Sequence, residues 1–283
     1  MRLGVHLPQY GRAASAEAIA VAARQAEELG FSDVWVSDHL AVPSTSPYPP
    51  PFLYEAVVTL TWAAAATTRV GLGTSVLVLP YRHPVHAAKE LASLDALSSG
   101  RLTAGVAAGF LQGEFAALNV PFPGRGDRLE DGIAAMRACW RDDPCSIELP
   151  TVAFSDVRVV PKPAHDIPIW IGGNSDAAVA RAVRVADGWH GISVPPERVA
   201  SIAKRIRAER DDLFTVSMRT TWDGSRTPPD EIRQGLQEYR EAGVEHILIT
   251  PVQPTLDDWR RSVDEFWALA ESFALPETGS KRV

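Results

Sequence analysis

The run Phe31-Ser32-Asp33-Val34-Trp35-Val36-Ser37-Asp38-His39 ends a short apolar stretch on an acid and an imidazole. An ionised aspartate accepts hydrogen bonds only, and a histidine changes charge near neutral pH, so the pair has the means to hold a ligand and to move a proton. Adjacent residues of a strand face opposite ways. A direct relay from Asp38 to His39 is therefore not expected, and each side chain addresses a different part of a bound molecule. The plainer alternative has Asp38 capping the next segment and His39 on the surface.

Four other strand ends carry residues of interest. His6, with Gln9 and Tyr10 just beyond it, lines a pocket or is a hydrogen-bonded interior histidine. In Gly71-Leu72-Gly73-Thr74-Ser75-Val76-Leu77 two glycines one residue apart signal close backbone approach, for which wall packing is the simpler reason. Gly105-Val106-Ala107-Ala108-Gly109-Phe110 leaves room for a flat ligand. Gly172-Gly173-Asn174-Ser175 leads straight into a helical pattern, whose first turn leaves amide N–H groups free for a phosphate. Asn174 would also serve there as an ordinary helix cap.

Other chemistries find no support in the residues. His39, His83, His86 and His190 fall on separate units without a His-Glu-x-x-His spacing, so no metal site is expected, and His83 and His86 read as capping or solvent-facing. No Gly-x-Ser-x-Gly elbow exists, no cysteine ends a strand, and the Gly-x-Gly-x-x-Gly dinucleotide signature is absent.

The elements that must position these residues alternate regularly. Strands are predicted at 3–7, 34–36, 70–79, 102–107, 167–171, 188–193, 214–218 and 244–250, with helices between them. Ser15 is placed to cap the first helix and Gly30 to end it. A loop with Pro43, Pro47, Pro49, Pro50 and Pro51 follows His39, and Pro84 suits the first turn of a helix that runs to Leu97. A helix is predicted near 129–140, and residues 145–163 read as an inserted β-excursion between strands four and five. Eight strands alternating with eight helices over 1–283 predict a single-domain (β/α)8 TIM barrel, whose sites lie at the carboxyl ends of the strands.

At 283 residues the chain has the length for one barrel, which needs about 250. The net charge of −7, with no basic cluster, argues against nucleic acid. Two cysteines six residues apart, no leader pattern and no long apolar run predict a protein of the cytoplasm away from membranes.

Taken together, the segments Gly4-Val5-His6-Leu7-Pro8-Gln9, Trp35-Val36-Ser37-Asp38-His39, 71–84, Leu97-Ser98-Ser99-Gly100-Arg101-Leu102, Pro168-Ile169-Trp170-Ile171-Gly172-Gly173-Asn174 and Asp187-Gly188-Trp189 resemble the luciferase-like monooxygenase superfamily, in its coenzyme F420 (deazaflavin) branch. The resemblance implies an F420-dependent oxidoreductase that exchanges a hydride with a small organic substrate, in a homodimer. It places Asp38 against the cofactor and His39, the implied catalytic residue, near the reactive face. It implies a non-proline cis peptide at Ser75–Val76 behind the ring, and it puts the cofactor tail on Ala108, Gly109, Gly172, Gly173, Asn174 and Ser175. His6 and Phe110 then belong to the substrate pocket.

One departure stands out. Similar sugar-phosphate dehydrogenases carry a catalytic glutamate where this chain has Phe110, and Glu114 lies too far along the sequence to replace it by default. A sugar phosphate is therefore not expected as the substrate. The competing readings are an FMN-dependent monooxygenase and a non-catalytic flavin- or deazaflavin-binding protein.

Overall fold

Local sequence signals set the repeating unit of this chain. In the computed structural model, which describes residues 1–50, 52–210, 213–252 and 254–274, the Ser15 hydroxyl accepts a hydrogen bond from the Ala18 amide (3.0 Å) and so starts α1 (Ala16–Leu29). Gly30 ends that helix in a left-handed turn with φ of 99°, a conformation that costs a glycine no Cβ clash. The chain then enters β2 (Asp33–Val36) beside β1 (Arg2–His6). The same helix–turn–strand step repeats along the chain.

The units that follow are α2 (Ala56–Ala66), β3 (Gly71–Thr74), β4 (Leu77–Val78), α3 (Pro84–Leu97), β5 (Leu102–Ala107), α4 (Gln112–Ala117), α5 (Arg125–Arg141), β6 (Cys145–Leu149) and β7 (Val152–Val157). Then come β8 (Ile169–Gly172), α6 (Asp176–Val185), β9 (Gly188–Ile192), α7 (Pro196–Glu209), β10 (Thr215–Arg219), α8 (Pro229–Glu241), β11 (His246–Ile249) and α9 (Leu256–Ala270). Pairing runs β3-β2-β1-β11-β10-β9-β8-β5, all parallel, and β5 returns to β3 to close the ring. β3 and β4 are two halves of one barrel position, separated by Ser75 and Val76, whose peptide bond is cis. The result is the expected (β/α)8 barrel. Its excursion between the fourth and fifth barrel strands is the antiparallel hairpin β6–β7.

Two layers of core hold the barrel. Aliphatic residues such as Leu3, Val34, Leu91 and Val263 fill the space between strands and helices. Trp35, Trp170 and Leu248 form a separate cluster. Residue 73 must be glycine because a Cβ there would lie 2.4 Å from the Trp35 ring, so wall packing accounts for that glycine. Cys139 and Cys145 are free thiols, both buried. Among the described residues, no helix is long and apolar enough to cross a membrane.

The structure also corrects details of the sequence reading. The strand expected over 70–79 is broken at Ser75, and the helix expected from residue 129 begins at Arg125. The short helix α4 was not anticipated, because six residues give too few turns for a periodic apolar stripe. Asn174 does not cap α6. Ser175 does, accepting from the Ala178 amide (3.2 Å), while Asn174 exchanges hydrogen bonds with the Ile192 carbonyl (2.7 Å) and amide (2.9 Å). Pro51 and residues 275–283 lie outside the described residues.

Candidate functional site

The carboxyl ends of the strands surround a cavity of about 710 Å³, well within the range of small-molecule and cofactor sites. Ser37, Asp38 and His39 enter it after β2, Ser75 and Val76 from the break between β3 and β4, and Val78 from the end of β4. Ala107 to Phe110 follow β5, Gly172 to Ser175 follow β8, and Arg219 ends β10. Of the residues expected to hold the cofactor, do the chemistry or meet the substrate, only His6 does not line it. That side chain is fully buried, with Nδ1 2.8 Å from the Leu7 carbonyl and Nε2 2.8 Å from the Ser37 hydroxyl, and it reaches the cavity only through Ser37.

Asp38 and His39, in the loop that follows β2, diverge. The Asp38 carboxylate takes both arms of the Arg82 guanidinium (2.7 and 2.8 Å) and the Val78 amide (2.8 Å). Arg82 also reaches Glu55 (2.9 Å). A fork of this kind is the strong form of a carboxylate–guanidinium pair. Asp38 thus anchors the start of its loop to the broken strand, and its oxygens already have partners.

His39 turns the other way, and its Nδ1 lies 2.9 Å from Glu114 Oε2. Glu114 is completely buried and accepts three further hydrogen bonds, from the amides of Leu40 and Ala41 (the latter 3.0 Å) and from the Tyr81 hydroxyl (3.0 Å). Burial by itself would raise the Glu114 pKa. The bonds from His39, Ala41 and Leu40 outweigh it and hold the carboxyl below the usual range. An ionised Glu114 accepts from Nδ1–H, which leaves His39 Nε2 available to the cavity. This is the orienting arrangement that places an imidazole for proton transfer. Sequence distance had counted against Glu114, yet α4 brings it back to His39. Phe110, 65% exposed, stands edge-on to the His39 ring at the lip.

The opposite side of the cavity is built from backbone and cations. Gly172 leaves room for the side chain of Val76: a Cβ there would come within 2.7 Å of Val76 Cγ1. Ser175 caps α6 through the Ala178 amide, and Gly173, Ser175, Ala177 and Ala178 at the start of that helix line the cavity. Arg125 donates to the Gly109 carbonyl (3.1 Å) and lies over the Phe122 ring. Arg219 donates to Thr250 (3.0 Å), to the Ser75 carbonyl (2.9 Å) and to the hydroxyls of Ser75 and Ser37 (3.2 Å each). Among the described residues neither arginine has a carboxylate partner, so two uncompensated cations face the cavity. Arg219 was missed from the sequence because it ended a strand as one arginine among many; its place opposite Ser75 exists only in the closed ring.

A barrel mouth that combines a glycine-lined cradle, uncompensated arginines and a carboxylate-oriented histidine has the groups to hold an anion and to move a proton. The chain belongs to the luciferase-like monooxygenase family, whose model matches residues 1–222, a family of oxidoreductases. It is 36% identical over 228 residues to the F420-dependent glucose-6-phosphate dehydrogenase of Beutenbergia cavernae, a match that covers 74% of this chain and 63% of that protein. Among solved structures, the monooxygenase RslO1 of Streptomyces bottropensis superposes with a TM-score of 0.81 at 22% identity, over 96% of this chain and 99% of that one. The coenzyme F420-dependent tetrahydromethanopterin reductase of Methanopyrus kandleri superposes with a TM-score of 0.80 at 18% identity, over 97% and 99%. At such identities the two superpositions speak for the fold.

Proposed function

We propose that the protein is an F420-dependent oxidoreductase acting on a small organic substrate. The observation that carries the reading is the buried Glu114 carboxylate fixing His39 at the cavity wall. Hydride chemistry on an alcohol or carbonyl needs a proton moved at the same centre, and a fixed imidazole provides one. The relative at 36% identity, an F420-dependent dehydrogenase, adds support.

The cavity suits such a cofactor in size and charge. Gly172, Gly173, Asn174 and Ser175 at the start of α6, with Ala108, Gly109 and Arg125, would hold its phosphate-bearing tail. The Ser75–Val76 backbone would support the ring, with Asp38 setting the loop beside it through Arg82. When bound, the deazaflavin supplies the hydride-accepting and hydride-donating carbon. The protein holds substrate and ring together, excludes water, and handles the proton at His39 Nε2. Phe110 covers the substrate side of the cavity. Assembly as a homodimer in the cytoplasm belongs to the same proposal.

Fluorescence titration with F420 and, separately, FMN tests this reading. Micromolar or tighter binding of F420, with FMN much weaker, is the expected outcome. Selective binding of FMN together with oxygen consumption would assign a monooxygenase instead. Tight binding of either cofactor without turnover of any alcohol or carbonyl would leave a binding protein.

A further inference from the structure

Below the cavity the barrel interior is not uniformly apolar. Asp33 Oδ1 lies 2.8 Å from His246 Nε2, His246 Nδ1 lies 2.6 Å from Ser217 Oγ, Ser217 Oγ lies 2.7 Å from His190 Nδ1, and His190 Nε2 lies 2.8 Å from Ser75 Oγ. Ser75 lines the cavity. At the other end, the Asp33 side chain begins β2 and keeps 12% of its surface accessible. His190, Ser217 and His246 are completely buried. We propose that these five residues form a proton path through the barrel, connecting its floor at Asp33 with the cavity at Ser75.

The fold builds this path by register. His190 pairs with Ser217 across β9 and β10, and Ser217 with His246 across β10 and β11, so the three lie on one rung of adjacent strands. The step from His246 to Asp33 crosses β1, which lies between their strands. It is open because residue 4 is glycine: a Cβ there would sit 2.2 Å from Asp33 Oδ1 and 2.8 Å from His246 Nε2. Tryptophans wall the path. Trp35 stacks on His190 with ring centroids 5.4 Å apart and planes 7° from parallel, and Trp35 and Trp170 flank His246 at 5.3 and 5.2 Å.

The hydrogen bonds can all run in one direction. With Asp33 ionised and both histidines neutral, Ser75 donates to His190 Nε2, His190 Nδ1–H to Ser217, Ser217 to His246 Nδ1, and His246 Nε2–H to Asp33. Arg219 donates to Ser75 from above. A proton arriving at Ser75 Oγ forms one O–H bond there and releases the original hydroxyl proton to His190 Nε2. His190 Nδ1 then gives its proton to Ser217, Ser217 gives its own to His246 Nδ1, and His246 Nε2–H passes to the Asp33 carboxylate. Each group gains one proton and loses one, no charge stays inside the core, and the proton leaves Asp33 to solvent. The reverse sequence delivers a proton to the cavity.

The resting charges suit a carrier. Burial first, and the Arg219 cation with it, lower the His190 pKa well below its ordinary value, so the ring is neutral and does not trap a proton. Burial would raise Asp33, but its hydrogen bond from His246 and the Arg2 cation hold it below its ordinary value, so the floor of the path is an ionised acceptor. For its use in turnover the inference rests on the reading of the protein as a hydride-transferring enzyme. The existence of the path does not.

The test reads the two histidines directly. Nitrogen-15 NMR of histidine-labelled protein, titrated without cofactor, reports protonation and tautomer at each ring. When His246 takes a proton, the path must reverse, and His190 must switch its proton from Nδ1 to Nε2 with the same midpoint. Ser217→Ala breaks the link and fixes His190 in one tautomer, and Ser217→Thr, which keeps the hydroxyl, restores the coupling. If Ser217→Ala does not fold, the wild-type and Ser217→Thr titrations still decide. A His190 tautomer that ignores His246 in the wild-type protein would overturn the path and leave a static network. In the protein saturated with F420, Ser217→Ala should slow a single turnover by about 10²-fold and change its solvent isotope effect, with F420 affinity unchanged. Failure of wild-type protein to bind F420 would remove the proposed function while the NMR result stood by itself.

Discussion

Glu114 and His39 are 75 positions apart in sequence and 2.9 Å apart in space. The loop after β2 and the short α4 fold over one another so that the glutamate meets the imidazole and the two amides that follow it, Leu40 and Ala41. One buried acid therefore fixes both the tautomer of His39 and the path of the backbone leaving it.

Replacing His39 by glutamine keeps a side chain of similar reach without an imidazole. Turnover with saturating F420 should fall by 10² to 10⁴-fold, roughly the range for loss of a positioned proton carrier, while F420 affinity stays within a few-fold. Steady-state kinetics beside a fluorescence titration separates the two effects. Unchanged turnover would remove His39 from the chemistry.

Glu114→Gln removes the charge but keeps the volume. Because the folded carboxyl titrates below its ordinary value, its contribution to stability is fully present at neutral pH and is lost as pH falls through the carboxylate range. The variant should be about 1–3 kcal/mol less stable at pH 7. The difference from the parent should shrink in acid, as urea unfolding at the two pH values will show. A gap that widened in acid would contradict the assignment.

Gly172→Ala puts a methyl group 2.7 Å from Val76 Cγ1. Val76 must then move into the cavity, so F420 binding should weaken by tenfold or more, roughly 1.4 kcal/mol. Circular dichroism should show the barrel intact, because α6 and its Ser175 cap are untouched. Equal affinity in the variant would mean that the ligand does not lie against Val76.

His6 and His190 predict acid sensitivity of a different kind. Both are fully buried and titrate well below their ordinary value, His6 through burial and then the Arg219 cation. Below about pH 6.5 the unfolded chain binds protons that the folded chain refuses, so stability falls with decreasing pH. Each histidine contributes up to about 1.4 kcal/mol per pH unit in that window. His6→Gln should roughly halve the slope, measured as unfolding free energy between pH 7 and 5, and an unchanged slope would place the charge elsewhere.

The barrel was legible because alternation of apolar runs with capped helices is a local property, and Ser15, Gly30 and Pro84 sit where single residues dictate a turn or a start. The cis peptide at Ser75–Val76 was legible from the family resemblance alone. What escaped depended on closing the ring. Glu114 sat in a helix too short to announce itself, Arg219 gained its position only when β10 came to face Ser75, and Asn174 had the chemistry of a cap but was claimed by Ile192. His190, Ser217 and His246 carry no motif, since their meaning lies in the register of three successive strands.

Arg82 holds Asp38 with both arms of its guanidinium fork and reaches Glu55 from one of the same two nitrogens. These acids bracket residues 39–54, which carry His39 and Tyr48 to the cavity. Both ends of the segment are thus stapled to one point on the barrel rim. Beyond Ala41, whose amide holds Glu114, changes in this segment would reshape the mouth while the ring of strands, the glycine cradle and the staple stay as they are. Such a segment is a place where the mouth can vary without unfolding the barrel.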